Sequence, residues 1–304
     1  MKETFIIAAD GYKLSVLFEK PVGRSVGTIV ISSATGVKKE FYINFARFLV
    51  DKGYGVLLYD YRGIGGSAPL DLKLSDAYMH EWGLKDMNAV MDYLVNKKGL
   101  TDIIWIGHSV GAQLIGFLDK YYHIKRVIAI NSALGYWGYL PFPKNFIIWT
   151  LWYLIGPLLV KIYGYGNMKK IGWGENLPKN ALLEWRKWCL SRNYFKSLLI
   201  EKLGLDKFYH FMVPITALYT SDDFIANDKT VPLMLDFFPN APYEILKLPV
   251  KKYTNDKVEH TGIFRKKFKE TLWVYLLDVI EIPTSRYRVS VSAGMFDEVD
   301  RQFR

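Results

Sequence analysis

The chain is short of cysteine, of histidine and of any apolar run long enough to be a clear membrane span, and each shortage narrows the reading. A single cysteine, Cys189, cannot form an internal disulfide, and its setting in Trp188-Cys189-Leu190 reads as a packed thiol. Five histidines, His80, His108, His123, His210 and His260, leave few choices for a catalytic base. The longest apolar run, Phe146 to Val160, has 15 residues, against the ~20 needed to span a bilayer, and Gly156-Pro157 interrupts it. The apolar stretch before Asp10-Gly11 is too short for the core of a signal peptide, so no export signal is read and a cytoplasmic location is expected. Tyr59-Asp60-Tyr61-Arg62-Gly63-Ile64-Gly65-Gly66-Ser67 has neither a G-x-G-x-x-G entering a helix nor a Walker lysine, which argues against a phosphate loop. An Asp60–Arg62 pair bracing a tight turn is expected there instead.

What the chain does have is bulk and basic charge. With 304 residues, 50% of them hydrophobic and 23% charged, it is a globular protein with a sizeable core. The net charge is +10, and its distribution says more than its sum. Between Leu134 and Val213 there are 11 Lys and Arg against 4 Asp and Glu, together with six of the nine tryptophans. Basic and aromatic residues together raise single-stranded nucleic acid as a partner. No nucleic-acid motif accompanies them, so no nucleic-acid partner is expected.

Periodicity gives the architecture. Two amphipathic strands flank Asp10-Gly11 as a hairpin. Short β-rich runs follow at Gly27 to Ile31, Gly55 to Asp60, Ile103 to Ile106, Val127 to Ile130, Ile215 to Tyr219 and Tyr243 to Leu248. Between them, Phe41, Phe45, Phe48, Leu49 and then Leu84, Met87, Val90, Met91, Leu94 each mark one apolar helix face. Such alternation predicts a mostly parallel sheet covered by helices on both faces, with ligands bound at the carboxyl ends of the strands. After Asn131 the strands stop for about 80 residues of helical, aromatic text. The expected organisation is a first core part over 1–133, an inserted helical lid over 134–213, a second core part over 214–282 and a tail over 283–304. The run from Phe146 to Val160 is expected to form a pair of buried or substrate-facing lid helices broken at Gly156-Pro157. Peripheral contact with lipid is the alternative.

Gly107-His108-Ser109-Val110-Gly111 lies between the strand Ile103 to Ile106 and a helix-like stretch. By composition a chance G-x-S-x-G is expected about 0.1 times in such a chain, so context must carry it. A strand before and a helix after make it read as a nucleophile elbow, a sharp turn that lifts the Ser109 hydroxyl towards a base. Of the histidines, only His260 lies beyond a plausible acid at a strand end, in the order serine, acid, histidine. Asp222 and Asp223 leave the strand Ile215 to Tyr219 together. One is expected to meet His260 and the other to cap the turn, with Asp223 favoured as the acid. Oxyanion donors are expected from the Val110 N–H and from the loop Ser32-Ser33-Ala34-Thr35-Gly36, with Ala34 favoured and Thr35 as the fallback.

At these residues the chain resembles the α/β-hydrolases, and within them bacterial predicted hydrolases near the serine aminopeptidase and monoacylglycerol-lipase-like branch. The resemblance is carried by Ala34-Thr35-Gly36-Val37, Phe41-Tyr42, Asp60 to Gly65, Gly107 to Gly111, Gly135-Tyr136-Trp137, Ser221-Asp222-Asp223 and His260 to Phe264. It implies a triad of Ser109, Asp223 and His260, no metal or other cofactor, and a helical lid. Where many relatives carry His-Gly at the first oxyanion loop, this chain carries Ser32-Ser33. The expected activity is hydrolysis of a small-molecule carboxylic ester with an apolar acyl or aromatic group. The alternatives are peptide or amide cleavage by the same triad, and a non-catalytic module binding lipid or protein on the same scaffold.

Overall fold

The turn at Asp10-Gly11, with Gly11 at φ 84°, joins β1 (Lys2–Ile7) to β2 (Lys13–Glu19) as an antiparallel pair that opens an eight-stranded sheet. The computed structural model describes residues 1–204 and 206–282. The tail expected over 283–304 therefore lies outside the described residues. Each β-rich run of the sequence becomes a strand: β3 (Gly27–Ser32), β4 (Tyr54–Tyr59), β5 (Ile103–His108), β6 (Ile124–Ile130), β7 (Ile215–Thr220) and β8 (Tyr243–Leu248). Their spatial order is β1-β2-β4-β3-β5-β6-β7-β8, and every pairing from β4 onward is parallel.

Parallel strands covered on both faces read as continuous apolar runs, because neither side meets water. All residues of β4, β5 and β7 are buried accordingly. The helix Ile43–Asp51 buries Phe45, Ala46, Phe48 and Leu49 against one face of the sheet. The helical segment 79–97 buries Met87, Val90, Met91 and Leu94 against the other. Each such fully buried side chain contributes ~1.5–3 kcal/mol relative to exposure. The chain goes from β3 outward to β4 and then returns to place β5 on the opposite side of β3. The carboxyl ends of β3 and β5 thus flank the point where the winding reverses, the position at which open α/β sheets bind ligands.

Between β6 and β7 the chain leaves the sheet and forms a helical insertion. Its longest element departs from the sequence expectation of two helices broken at Gly156-Pro157. A single helix runs over Lys144–Tyr163, 20 residues long. Proline lacks an N–H and crowds the carbonyl of the preceding turn, which ordinarily ends or kinks a helix. Here the turn before it, Leu151–Ile155, is wound as a π-helix, and the wider i to i+5 spacing absorbs the misfit. A second helix, Lys179–Leu190, packs on the first.

The Asp60–Arg62 pair is also corrected. Asp60 accepts from the Lys39 ammonium at 2.8 Å, the Lys39 amide at 2.7 Å and the Gly66 amide at 2.9 Å. With those donors on its carboxylate, Arg62 turns to the fully buried Asp86 at 2.7 Å and to Asp10 at 2.8 Å. Separate ion pairs, of Asp60 with Lys39 and of Arg62 with Asp86 and Asp10, hold the turn after β4.

Candidate active site

β5 ends at His108, and Ser109 follows with φ 53° and ψ −117°, a backbone setting that a residue with a side chain rarely adopts. The helix Val110–Gln113 starts at the next residue. Close approach explains the two flanking glycines. A Cβ on Gly107 would lie 2.5 Å from the Ala112 nitrogen, and one on Gly111 would lie 2.3 Å from the Ser32 carbonyl oxygen of β3. The turn is held by Ser109 N–H donating to the Ile130 carbonyl at 2.9 Å and by the Ser132 hydroxyl donating to the Ser109 carbonyl at 2.9 Å. The Ser109 hydroxyl lines a cavity and, among the described residues, has no hydrogen-bond partner. Val110 supplies the first amide of its helix, which has no intrahelical acceptor.

His260 reaches the same cavity from the loop after β8. Its Nδ1 lies 2.7 Å from Asp223 Oδ2, and the Asp223 side chain is fully buried. The other carboxylate oxygen of Asp223 accepts the Ile225 amide at 2.8 Å. Asp222 does not approach the imidazole. It accepts the Val258 and Glu259 amides at 2.8 and 3.1 Å, and so caps the loop that carries the histidine. The adjacent carboxylates divide the two tasks expected of them.

Asn131 fixes the same loop from below. It leaves β6 at φ 49°, a conformation that asparagine tolerates better than most residues. Its Oδ1 accepts the Thr220 amide at 2.9 Å, and its Nδ2 donates to the carbonyls of Glu259 at 3.2 Å and His260 at 2.8 Å. Thr220 donates its own hydroxyl to the Glu259 carbonyl at 3.0 Å. Glu259, with φ 53°, is thereby held in a left-handed conformation immediately before His260.

His108, the residue inside the pentapeptide that sequence reasoning passed over, ties this loop to the one after β3. Its Nδ1 is 2.7 Å from the Tyr42 hydroxyl, and its Nε2 is 2.8 Å from the His260 carbonyl. The Tyr42 hydroxyl already accepts the Ala34 amide at 3.1 Å. The assignment that satisfies every group has Tyr42 donating to Nδ1 and a neutral His108 donating Nε2–H to the carbonyl. Burial, with the His260 ring as a second cause, pushes His108 down to about 3, so the ring stays neutral at ordinary pH. Ala34 is corrected by this chain of bonds: its N–H is engaged by Tyr42. Thr35, the fallback, lines the cavity, and among the described residues nothing hydrogen-bonds its amide. Burial also pushes the Tyr42 hydroxyl up, keeping it a neutral donor.

The cavity measures about 690 Å³, within the ~300–1,000 Å³ range of small-molecule sites. The insertion supplies its apolar walls, with Leu140, Ile148, Trp152 and Trp185 facing Phe224 and Phe41 of the core. Gln113 and Tyr194, hydrogen-bonded to one another at 3.2 Å, form a polar patch in the lining beside Cys189. Burial pushes the Cys189 thiol up, which keeps it protonated and poorly nucleophilic, as its packed setting implied. A strap of the insertion reaches the loop after β3, where the Glu175 amide donates to the Gly36 carbonyl at 2.7 Å. Among the described residues no group of three or more His, Cys, Asp or Glu is placed to hold a metal ion.

Solved structures share this fold over nearly the whole chain. An esterase from Exiguobacterium antarcticum superposes with a TM-score of 0.57 at 15% identity, covering 92% of this chain and 100% of its own. Est1E from Butyrivibrio proteoclasticus, solved with ferulic acid bound, gives 0.54 at 16% identity over 92% and 100%. A bromoperoxidase from Bacillus anthracis gives 0.55 at 15% identity over 92% and 100%. Among curated proteins, none matches the sequence. The family model described as Hydrolase_4, serine aminopeptidase S33, matches residues 23–187, which run from the loop before β3, through Ser109, and across most of the helical insertion. The chain is therefore an α/β-hydrolase and belongs to the serine aminopeptidase S33 family, Hydrolase_4.

Proposed function

We propose that the protein is a serine hydrolase that cleaves carboxylic esters carrying an apolar acyl or aromatic group. The observation that carries this reading is the shared cavity. Ser109, on a strained turn, and His260, paired with Asp223 at 2.7 Å, both open into one chamber whose walls are mostly apolar.

In the proposed mechanism His260 Nε2 takes the hydroxyl proton as Ser109 Oγ bonds to the ester carbonyl carbon. The carbonyl π electrons move onto oxygen, and the resulting oxyanion accepts from the Val110 and Thr35 amides. Collapse expels the alkoxide, which leaves as an alcohol with the proton held by His260, and an acyl-serine remains. Water then gives a proton to His260 and adds to the acyl carbon. The second collapse releases the carboxylic acid and returns the proton to Ser109. Asp223 stabilises the imidazolium and fixes the tautomer in both halves. The insertion acts as a lid that excludes water and supplies the acyl-binding wall.

Esterases among the solved structures of the same fold support a small-molecule ester as substrate. A series of p-nitrophenyl esters from acetate to dodecanoate tests the reading. Catalytic efficiency rises with acyl length and is lost in Ser109→Ala. Equal turnover of acetate and dodecanoate would remove the apolar specificity, and full activity in Ser109→Ala would remove the mechanism. Faster turnover of aminoacyl p-nitroanilides than of any ester would favour amide cleavage instead.

A further inference from the structure

The long insertion helix Lys144–Tyr163 has two apolar faces, and only one of them has a use inside the protein. Ile148, Leu151, Trp152 and Leu159 recur at helical spacing, are buried, and pack into the core beside the cavity. On a helix lying over a soluble domain the opposite face ordinarily carries charge. Here it carries Phe146, Ile147, Tyr153, Leu154, Leu158 and Ile162, between 43% and 62% exposed. Phe142, just before the helix, is 85% exposed. The mean hydropathy of the helix reaches 1.6, while only 28% of its most apolar window is buried.

We propose that this face is a docking surface for an anionic lipid bilayer, on which the helix lies in the interfacial plane. Charge picks the occupant. Lys161 stands near the end of the helix, and the exposed Lys170 follows in the next turn beside the exposed Ile171 and beside Lys169, which pairs with Glu175 at 2.7 Å; Lys144, at the helix start, turns inward over the Phe224 ring at the cavity. The segment 134–213 holds a net +7 of the chain's +10. An apolar stripe bordered by lysines is the pattern that inserts shallowly among acyl chains while its cations meet anionic headgroups. A second copy of the same chain would bring this basic segment against itself, and a neutral apolar partner would leave Lys161 and Lys170, which have no carboxylate partner among the described residues, without a counter-charge.

The helix is long enough to cross a bilayer, yet its buried face is fixed to the catalytic domain along its length. Ile148 near the start and Leu159 near the end both belong to the core. An in-plane position keeps those contacts, whereas spanning breaks them. The same helix forms part of the cavity wall through Ile148 and Trp152. Docking therefore places the chamber beside the membrane surface, where an apolar ester enters without crossing water.

Co-sedimentation tests this with vesicles of phosphatidylcholine alone and of phosphatidylcholine with 30% phosphatidylglycerol. The full chain sediments with the anionic vesicles and at least tenfold less with the neutral ones, and the difference shrinks in high salt. Leu154→Glu with Leu158→Glu lowers binding to anionic vesicles at least tenfold. Both side chains lie outside the cavity lining, so hydrolysis of a short soluble ester is retained and reports an intact fold. Lys161→Glu with Lys170→Glu abolishes the preference for anionic vesicles by a route that leaves the apolar face untouched. Ser109→Ala binds vesicles as the parent protein does, so the result stands apart from the hydrolytic reading. Equal binding to both vesicle types overturns the proposal, as does absence of binding to either. A dimer in solution that Leu154→Glu dissociates, with no vesicle binding, also overturns it and assigns the face to a second copy.

Discussion

His108 gives the sharpest prediction, because its burial links the geometry of the site to the acid stability of the whole domain. In the unfolded chain its imidazole titrates near 6.5, whereas in the folded protein burial and the His260 ring push it down to about 3. The folded state thus refuses a proton that the unfolded state accepts throughout that interval. Stability is fully present above about pH 6.5 and falls as the pH drops towards 3, at ~1.4 kcal/mol per pH unit. Between pH 7 and pH 5 the loss attributable to this one group is about 2 kcal/mol. His108→Gln removes the titration while keeping a donor and an acceptor for Tyr42 and the His260 carbonyl. Urea unfolding of both proteins at pH 7 and pH 5 checks the difference. The parent loses about 2 kcal/mol more than the variant over that interval. Parallel losses would refute both the neutral, donating His108 and the bridge it forms between the two loops.

Three further outcomes follow from the same geometry. Asp223→Asn lowers kcat by ~10⁴ with the fold intact, since the amide favours the wrong imidazole tautomer. Asp222→Asn costs activity far less, because one oxygen still accepts a loop amide; steady-state kinetics on one soluble ester separates the pair. Gly111→Ala places a methyl 2.3 Å from the Ser32 carbonyl oxygen. It destabilises the domain by several kcal/mol or prevents folding, as measured by thermal melting, whereas Gly172→Ala, with nothing within 4 Å, changes the melting point little beyond the strain of its own φ. Asn131→Ala removes two donors to the carbonyls before and at His260. It leaves KM for a soluble ester nearly constant and lowers kcat, and a reversed split would make Asn131 a substrate-binding residue instead.

The strands were legible because parallel, doubly covered strands are short apolar runs between turn residues, and each such run of this chain is a strand. The turn at Ser109 and the Asp223–His260 contact beside it were legible because chain order and flanking motifs constrain them. Ala34 was misjudged for a specific reason: local sequence says that an amide stands in the loop after β3, but not that Tyr42, eight residues later, takes it. His108 and Asn131 act through carbonyls of residues more than 120 positions away, and pairing at that distance leaves no periodic trace. A signal did exist for each. A histidine inside the turn motif and an asparagine at the end of β6 are both residues whose polar groups must be satisfied where they are buried. The helix break at Gly156-Pro157 failed because proline's usual effect was absorbed by a π-turn, which depends on the packing of Leu151 and Trp152 rather than on local propensity.

Ser109 as an activated nucleophile is tested most directly by covalent labelling. A fluorophosphonate reacts with the serine oxygen, expelling fluoride and leaving a stable phosphonyl-serine whose mass is read on the intact protein and then on its peptides. One adduct per chain is expected, on the peptide containing Ser109, slowed by Asp223→Asn and absent in Ser109→Ala. No adduct at all, or an adduct on another residue that survives Ser109→Ala, would contradict it.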